Sequence, residues 1–286
     1  MAGAIDYAGL FPPAGLSMAA AVTNYASYRA GPNAWMLGRF IVPVARLEEF
    51  AAAFAALSEA HAGDASALRH GGGSPWLLSV IAKSSDAAAL AAFNARYGSR
   101  ARIDTIETPP VQTVRAGDLD ALAPLTATYT VYAEVPWADD PTPLIAQLAT
   151  RGIRAKIRTG GIVAEAIPPA AAVARFIAAC ARANVPFKAT AGLHHAGRGE
   201  YPLTYEPGSA EATMHGFLNV MLAAMHASRG EAHELLATML EGRHPAVDVS
   251  AAAESSAAAA RLQGMQSFGS CAFDEPVAEL TARGLL

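Results

Sequence analysis

Charge is scarce in this chain: only 16% of its 286 residues are Asp, Glu, Lys or Arg, and the net charge is −4. No basic stretch forms the clustered footprint that nucleic-acid binding needs, so no nucleic-acid partner is expected. Cysteine is nearly missing. Cys180 and Cys271 are too few for a disulfide framework and are not spaced as zinc ligands. Cys180, in "FIAACARA", reads as a small buried apolar residue. No apolar run of about 18 residues is free of charges and turn residues, so no membrane partner is expected. The opening "MAGAIDYAGLFPP" lacks the basic and apolar regions of a signal peptide, and a cytoplasmic protein is the expectation. Apolar residues are abundant, at 52%, which allows a large core and argues against disorder.

Those residues alternate regularly between two patterns. Eight short runs rich in apolar residues read as strands: 5–11, 35–43, 76–82, 102–109, 128–136, 153–160, 186–193 and 266–273. Most are nearly continuous, as in parallel strands covered on both faces. Helical periodicity lies between them. "ARLEEFAAAFAALSEA" sets Leu47, Phe50, Phe54 and Leu57 on one stripe, and "PPAAAVARFIAACARA" does the same with Val173, Phe176, Ile177 and Cys180. This alternation predicts an α/β fold, a (β/α)8 TIM barrel formed by residues 1–286 as one domain.

One connection departs from the pattern. Residues 194–265 separate the last two strand runs, and within them 211–228 and 230–242 read as helices, while 197–209 and 242–250 read as loops. An insertion after a barrel strand falls at the C-terminal face, where lids and oligomer contacts are built, so a helical lid and a homo-oligomer are expected.

Catalytic groups of such barrels sit at the C-terminal ends of strands. Reading those ends gives Asp6, Arg39, Asp104, Glu107, Glu134, Lys156, Arg158, Lys188, His194 and His195. Ionisable groups on apolar strands are costly unless paired or placed in a site. Lys156 in "KIRTGG" and Lys188 in "PFKATAGLHH" would meet at the mouth from adjacent strands, where close like charges favour the neutral, nucleophilic form of one amine. The plain alternative is a salt bridge from each lysine to Asp104, Glu107 or Glu134. Asp104 suits a proton relay or charge balance, and Glu134 the same. Asp6 suits a loop cap or a substrate hydroxyl. The guanidinium of Arg158 suits a carboxylate or phosphate. Backbone amides of Thr159, Gly160 and Gly161, and of Gly269 and Ser270 in "SFGSCAF", could face an anion. His194 and His195 could be acid–base groups, metal ligands or loop residues, and adjacent histidines seldom chelate one ion together. His215, His226 and His233 read as surface or lid residues.

In order along the chain, "IDYAGLFPP", "FIVP", "RIDTIE", Glu134, "KIRTG", "KATAGLH" and "FGSC" resemble the motifs of the deoxyribose-phosphate aldolase family of class I aldolases. The resemblance implies a barrel enzyme that forms an imine on Lys156, with Lys188 tuning that amine and Asp104 shuttling protons, and with neither metal nor cofactor. It implies substrate contacts from Asp6, Arg39, Glu134, Arg158, Thr159, Gly160, Gly161, Gly192, His194, His195, Gly269 and Ser270. Arg158 replaces a family Ser, Ala191 a Gly, and the histidine pair an Arg–Thr-like turn; the long insertion has no family counterpart. These departures bear on the sugar-phosphate substrate more than on the lysine chemistry: an extra guanidinium at the mouth suggests a small anionic carbonyl compound with a carboxylate or a differently placed phosphate. Two other readings stay open: a metal-assisted hydrolase or isomerase using His194, His195 and Glu134, and a non-catalytic barrel whose insertion mediates assembly.

Overall fold

The computed structural model describes residues 1–60, 74–109, 116–243, 261 and 264–286. Eight parallel strands close into a barrel: β1 (Ile5–Tyr7), β2 (Leu37–Pro43), β3 (Trp76–Ile81), β4 (Ala101–Glu107), β5 (Thr130–Glu134), β6 (Arg154–Arg158), β7 (Phe187–Thr190) and, after the insertion, β10 (Met265–Ser270), which pairs with both β7 and β1. The expected (β/α)8 barrel is the observed one.

Helices α1 (Met18–Ala30), α2 (Leu47–Ala60), α3 (Ala87–Tyr97), α4 (Ala116–Leu122), α5 (Thr142–Ala149) and α6 (Ala170–Ala183) follow β1 to β6 in turn. Each turns an apolar stripe inward. On α2 this stripe is Leu47, Phe50 and Phe54, and on α6 it includes Val173, Phe176, Ile177 and Cys180. The Phe50 ring lies 5.2 Å from that of Phe40 on β2 and 6.3 Å from that of Trp76 on β3. Burying such a ring contributes about 1.5–3 kcal/mol. By length and composition alone the stretch Ala164–Ala183 is apolar enough to cross a membrane, but it carries Glu165, Pro168, Pro169, Arg175 and Arg182, and 56% of its most apolar window is buried in the protein.

Seven of the eight barrel strands end earlier than expected, while β2 ends where expected, at Pro43. β1 stops at Tyr7, and a tight turn follows in which the Phe11 amide donates to the Ala8 carbonyl. β7 stops at Thr190, where Ala191 and Gly192 take φ of 61° and 74°. Left-handed backbone cannot continue a strand.

The insertion is only partly helical. Residues 197–209 were expected to be loop, and 211–214 to begin a helix. Instead β8 (Gly199–Pro202) and β9 (Glu211–Met214) form an antiparallel hairpin, followed by α7 (Phe217–Ala227) and α8 (His233–Glu241). Thr213 and Tyr201 favour the extended ladder, and Gly216 separates it from α7. The expected loop at 244–250 lies outside the described residues. Contrary to expectation His215 is fully buried, with Nε2 2.8 Å from the Pro168 carbonyl oxygen. Helix α9 (Asp274–Ala282) closes the described chain.

Candidate active site

The C-terminal mouth of the barrel holds a cavity of about 290 Å³ whose lining includes Lys156, Arg158, Glu107, Thr190, His194 and Cys271 among apolar side chains. Period-two alternation puts Lys156 and Arg158 of β6 on the same inward face, in register with Lys188 and Thr190 of β7.

Beneath this cavity the expected lysine pair does not stand face to face: Glu107 lies between the two amines. Its Oε1 accepts from Lys188 Nζ at 2.7 Å and from Ser79 Oγ at 2.6 Å, while its Oε2 lies 3.4 Å from Lys156 Nζ. Lys188 is fully buried and also donates to Asp6 Oδ2 at 2.6 Å. Ser267 Oγ donates to that oxygen at 2.7 Å, and the Arg39 amide holds Asp6 Oδ1 at 2.7 Å. Lys156 Nζ donates to the Thr108 carbonyl at 2.8 Å and lies 3.0 Å from Glu134 Oε2. That carboxylate oxygen accepts no hydrogen bond, so its contact with Lys156 is an ion pair out of alignment. Glu134 Oε1 accepts from Arg158 Nε at 3.1 Å.

Three cations thus meet three carboxylates in a nearly closed interior. Burial alone would raise the carboxyl of Glu107; the ammonium groups of Lys188 and Lys156 and the hydrogen bonds from Lys188 and Ser79 outweigh it and bring it down to about 2. Burial alone would lower Lys188, yet Asp6 and Glu107 hold it above the ordinary lysine value. Lys188 is therefore a fixed cation outside the cavity, and Lys156 is the amine that reaches it.

The other expected site residues divide by position. Asp104 and Arg39 are not at the mouth. The Arg39 guanidinium grips Asp104 in two hydrogen bonds of 2.7 and 2.8 Å, and Arg39 lines a separate cavity with Leu37, Ser74 and Arg102, at the strands' N-terminal ends. Asp6 and Glu134, expected to meet substrate, are 1% and 5% exposed and spend their oxygens on the network. Thr159 is also buried, its hydroxyl donating to the Ala191 carbonyl at 2.6 Å. Gly160 and Gly192 bring the loops after β6 and β7 together: a Cβ on either would lie 2.8 Å from the other's Cα. Gly161 and Gly269 line the cavity, and Ser270 lies buried beside His194. His195 is turned away; its Nδ1 lies 2.6 Å from Glu279 Oε1, and its ring stacks 3.4 Å from that of Tyr201 on the hairpin.

Sequence reasoning left Ser79, Ser267 and Thr108 out of the site and named Glu107 only as one of three alternative salt-bridge partners for the lysines, the role it takes here with both amines. A serine in the middle of an apolar strand, as in "WLLSVIA", was the available signal for Ser79, because a hydroxyl there needs a buried partner. Among the described residues no group of three or more His, Cys, Asp and Glu side chains is arranged to hold a metal ion.

Together the fold and the mouth define a (β/α)8 barrel with a lysine at its C-terminal cavity. No family model, curated protein or solved structure matches the chain.

Proposed function

We propose that the protein is a Schiff-base lyase of the aldolase type, acting on a small anionic carbonyl compound. The observation that carries this reading is Lys156, a primary amine at the edge of the cavity, with the Arg158 guanidinium two residues further along the same inward face. The ordered resemblance to the deoxyribose-phosphate aldolase family, of which Lys156 is one part, supports it.

Lys156 attacks the carbonyl carbon, the carbonyl oxygen leaves as water, and the iminium nitrogen becomes the electron sink for breaking the adjacent carbon–carbon bond. Glu134 Oε2, at 3.0 Å from the amine, is placed to take the proton that must leave before attack. Glu107 and Lys188 hold the amine in place and keep the interior neutral. Arg158 has its Nε engaged by Glu134 and a third of its side chain exposed, leaving the end of the guanidinium for a carboxylate or phosphate on the substrate. Borohydride added with small aldehydes or keto acids should leave a reduced adduct that peptide mapping places on Lys156. A Lys156→Ala protein that keeps full lyase activity would sink the reading.

A further inference from the structure

A second reactive group borders the same cavity, and the lysine chemistry does not use it. Cys271 follows β10, and its sulfur lies 3.8 Å from His194 Nδ1 and 4.0 Å from His194 Nε2. Nearly equal distances mean that the sulfur is not in line with one N–H, so the contact is chiefly Coulombic. Behind the ring, Nδ1 faces Glu275 Oε2 at 3.4 Å and Ser270 Oγ at 3.3 Å. Ser270 gives its own proton to the Ala272 carbonyl at 2.6 Å, so Nδ1 meets two acceptors and carries a proton. Among the described residues Nε2 meets only the sulfur.

The hairpin completes the arrangement. Tyr205, in the turn between β8 and β9, places its hydroxyl 3.4 Å from the sulfur. Other ionisable groups facing the thiol are Tyr7 on β1 and, around the shared cavity, Glu107, Lys156 and Arg158. Burial would raise the Cys271 thiol, but His194, the Tyr205 hydroxyl and the Ala14 amide outweigh it and hold it below the ordinary value. Burial would lower His194, but Cys271 and Glu275 bring it up to about 9. Cys180 is the opposite case, pushed up by burial alone.

We propose that Cys271 is a second nucleophile of this cavity and adds reversibly to the carbonyl carbon of a small aldehyde. The sulfur lone pair forms the carbon–sulfur bond and the carbonyl π pair moves onto oxygen. The Nε2 proton of His194 goes to that oxygen, leaving a thiohemiacetal and a neutral imidazole. The reverse steps release the aldehyde, and no oxidant or reductant is consumed. A small aldehyde fits a cavity of about 290 Å³ with a mostly apolar lining. The site does not rest on the imine reading, because neither lysine takes part.

The test is alkylation by iodoacetamide across pH 5–10, read by peptide mapping, with Cys180 as the internal control. Cys271 should react with a midpoint below the ordinary thiol value of about 8.5, while Cys180 stays unmodified in the folded protein. His194→Gln should slow Cys271 at pH 7 by about tenfold or more, since it removes the neighbouring positive charge. Should that variant not fold, Glu275→Gln should give a smaller slowing. Glycolaldehyde should protect Cys271 in the wild type and equally in Lys156→Ala. The cavity of about 290 Å³ that Cys271 lines has room for iodoacetamide as well as for the aldehyde, so a Cys271 no faster than Cys180 overturns the proposal. An unchanged rate in both variants, or protection that vanishes in Lys156→Ala, does the same. Loss of borohydride trapping with these results intact would sink the imine alone.

Discussion

Glu107→Gln is the substitution that most directly tests the buried network. The carboxylate is 1% exposed and is shared between Lys188 and Lys156. Between the ordinary value of 4.5 and the folded value of about 2, its ionisation contributes about 3 kcal/mol at neutral pH. Removing one partner of a buried pair typically costs about 3–5 kcal/mol, because the remaining charges stay behind unbalanced. Here three cations would face two carboxylates. Urea unfolding at pH 7 should therefore show a loss of about 3–5 kcal/mol with an unchanged m-value. The sign with pH follows from the depressed folded value. This stability is complete above the unfolded value of 4.5 and is lost as pH falls toward about 2, so wild type and variant should converge across that window. Adding Lys188→Met removes the charge left stranded, so the double variant should lose at least about 1 kcal/mol less than the two single losses added. A Glu107→Gln protein within about 0.5 kcal/mol of wild type, or strict additivity in the double variant, would refute the shared-carboxylate reasoning.

Asp104→Asn should destabilise by about 1–3 kcal/mol through the weakened Arg39 grip, yet leave borohydride trapping on Lys156 intact. Unchanged stability with trapping abolished would return Asp104 to the mouth. Gly192→Ala should lower the melting temperature more than Gly208→Ala. Both have left-handed φ, of 74° and 76°, but only Gly192 has a neighbour that a Cβ would strike. Equal losses would show that the contact with Gly160 does not matter. NMR titration of His194 should give a midpoint near 9 that falls in Glu275→Gln, and a midpoint near 6.5 in the wild type would dissolve the Cys271–His194–Glu275 arrangement.

The barrel was legible because its signal is repeated: eight apolar runs, with helical stripes such as Phe50–Phe54 and Phe176–Cys180 between them. The lysines were legible because an amine on an apolar strand must have a purpose. The carboxylate that serves them was harder to read. Counting by twos from Asp104 puts 106, not Glu107, on the same face. The ladder between β3 and β4 is irregular here, Leu78 pairing with Ile103 but Ser79 with Thr105. This irregularity of one residue sets Asp104 with Arg39 and Glu107 with the lysines. Register is settled by pairing between strands, which no single strand's sequence carries. The hairpin was missed for a similar reason: "EYP" and "EATM" are too short and too polar to read as strands until each finds the other.

Asp6 meets Lys188 and Ser267 across sequence separations of 182 and 261 residues. During folding, then, a carboxylate near one end of the chain waits for partners from β7 and β10. Until β1 docks against β10, Lys188 has lost one of its two counter-charges, and any half-closed barrel that dehydrates these groups pays the full electrostatic cost. The same salt bridges that shape the mouth thus raise the energy of the open barrel. Pairing of β1 with β10 is therefore the long-range contact on which the charge balance around Lys188 depends.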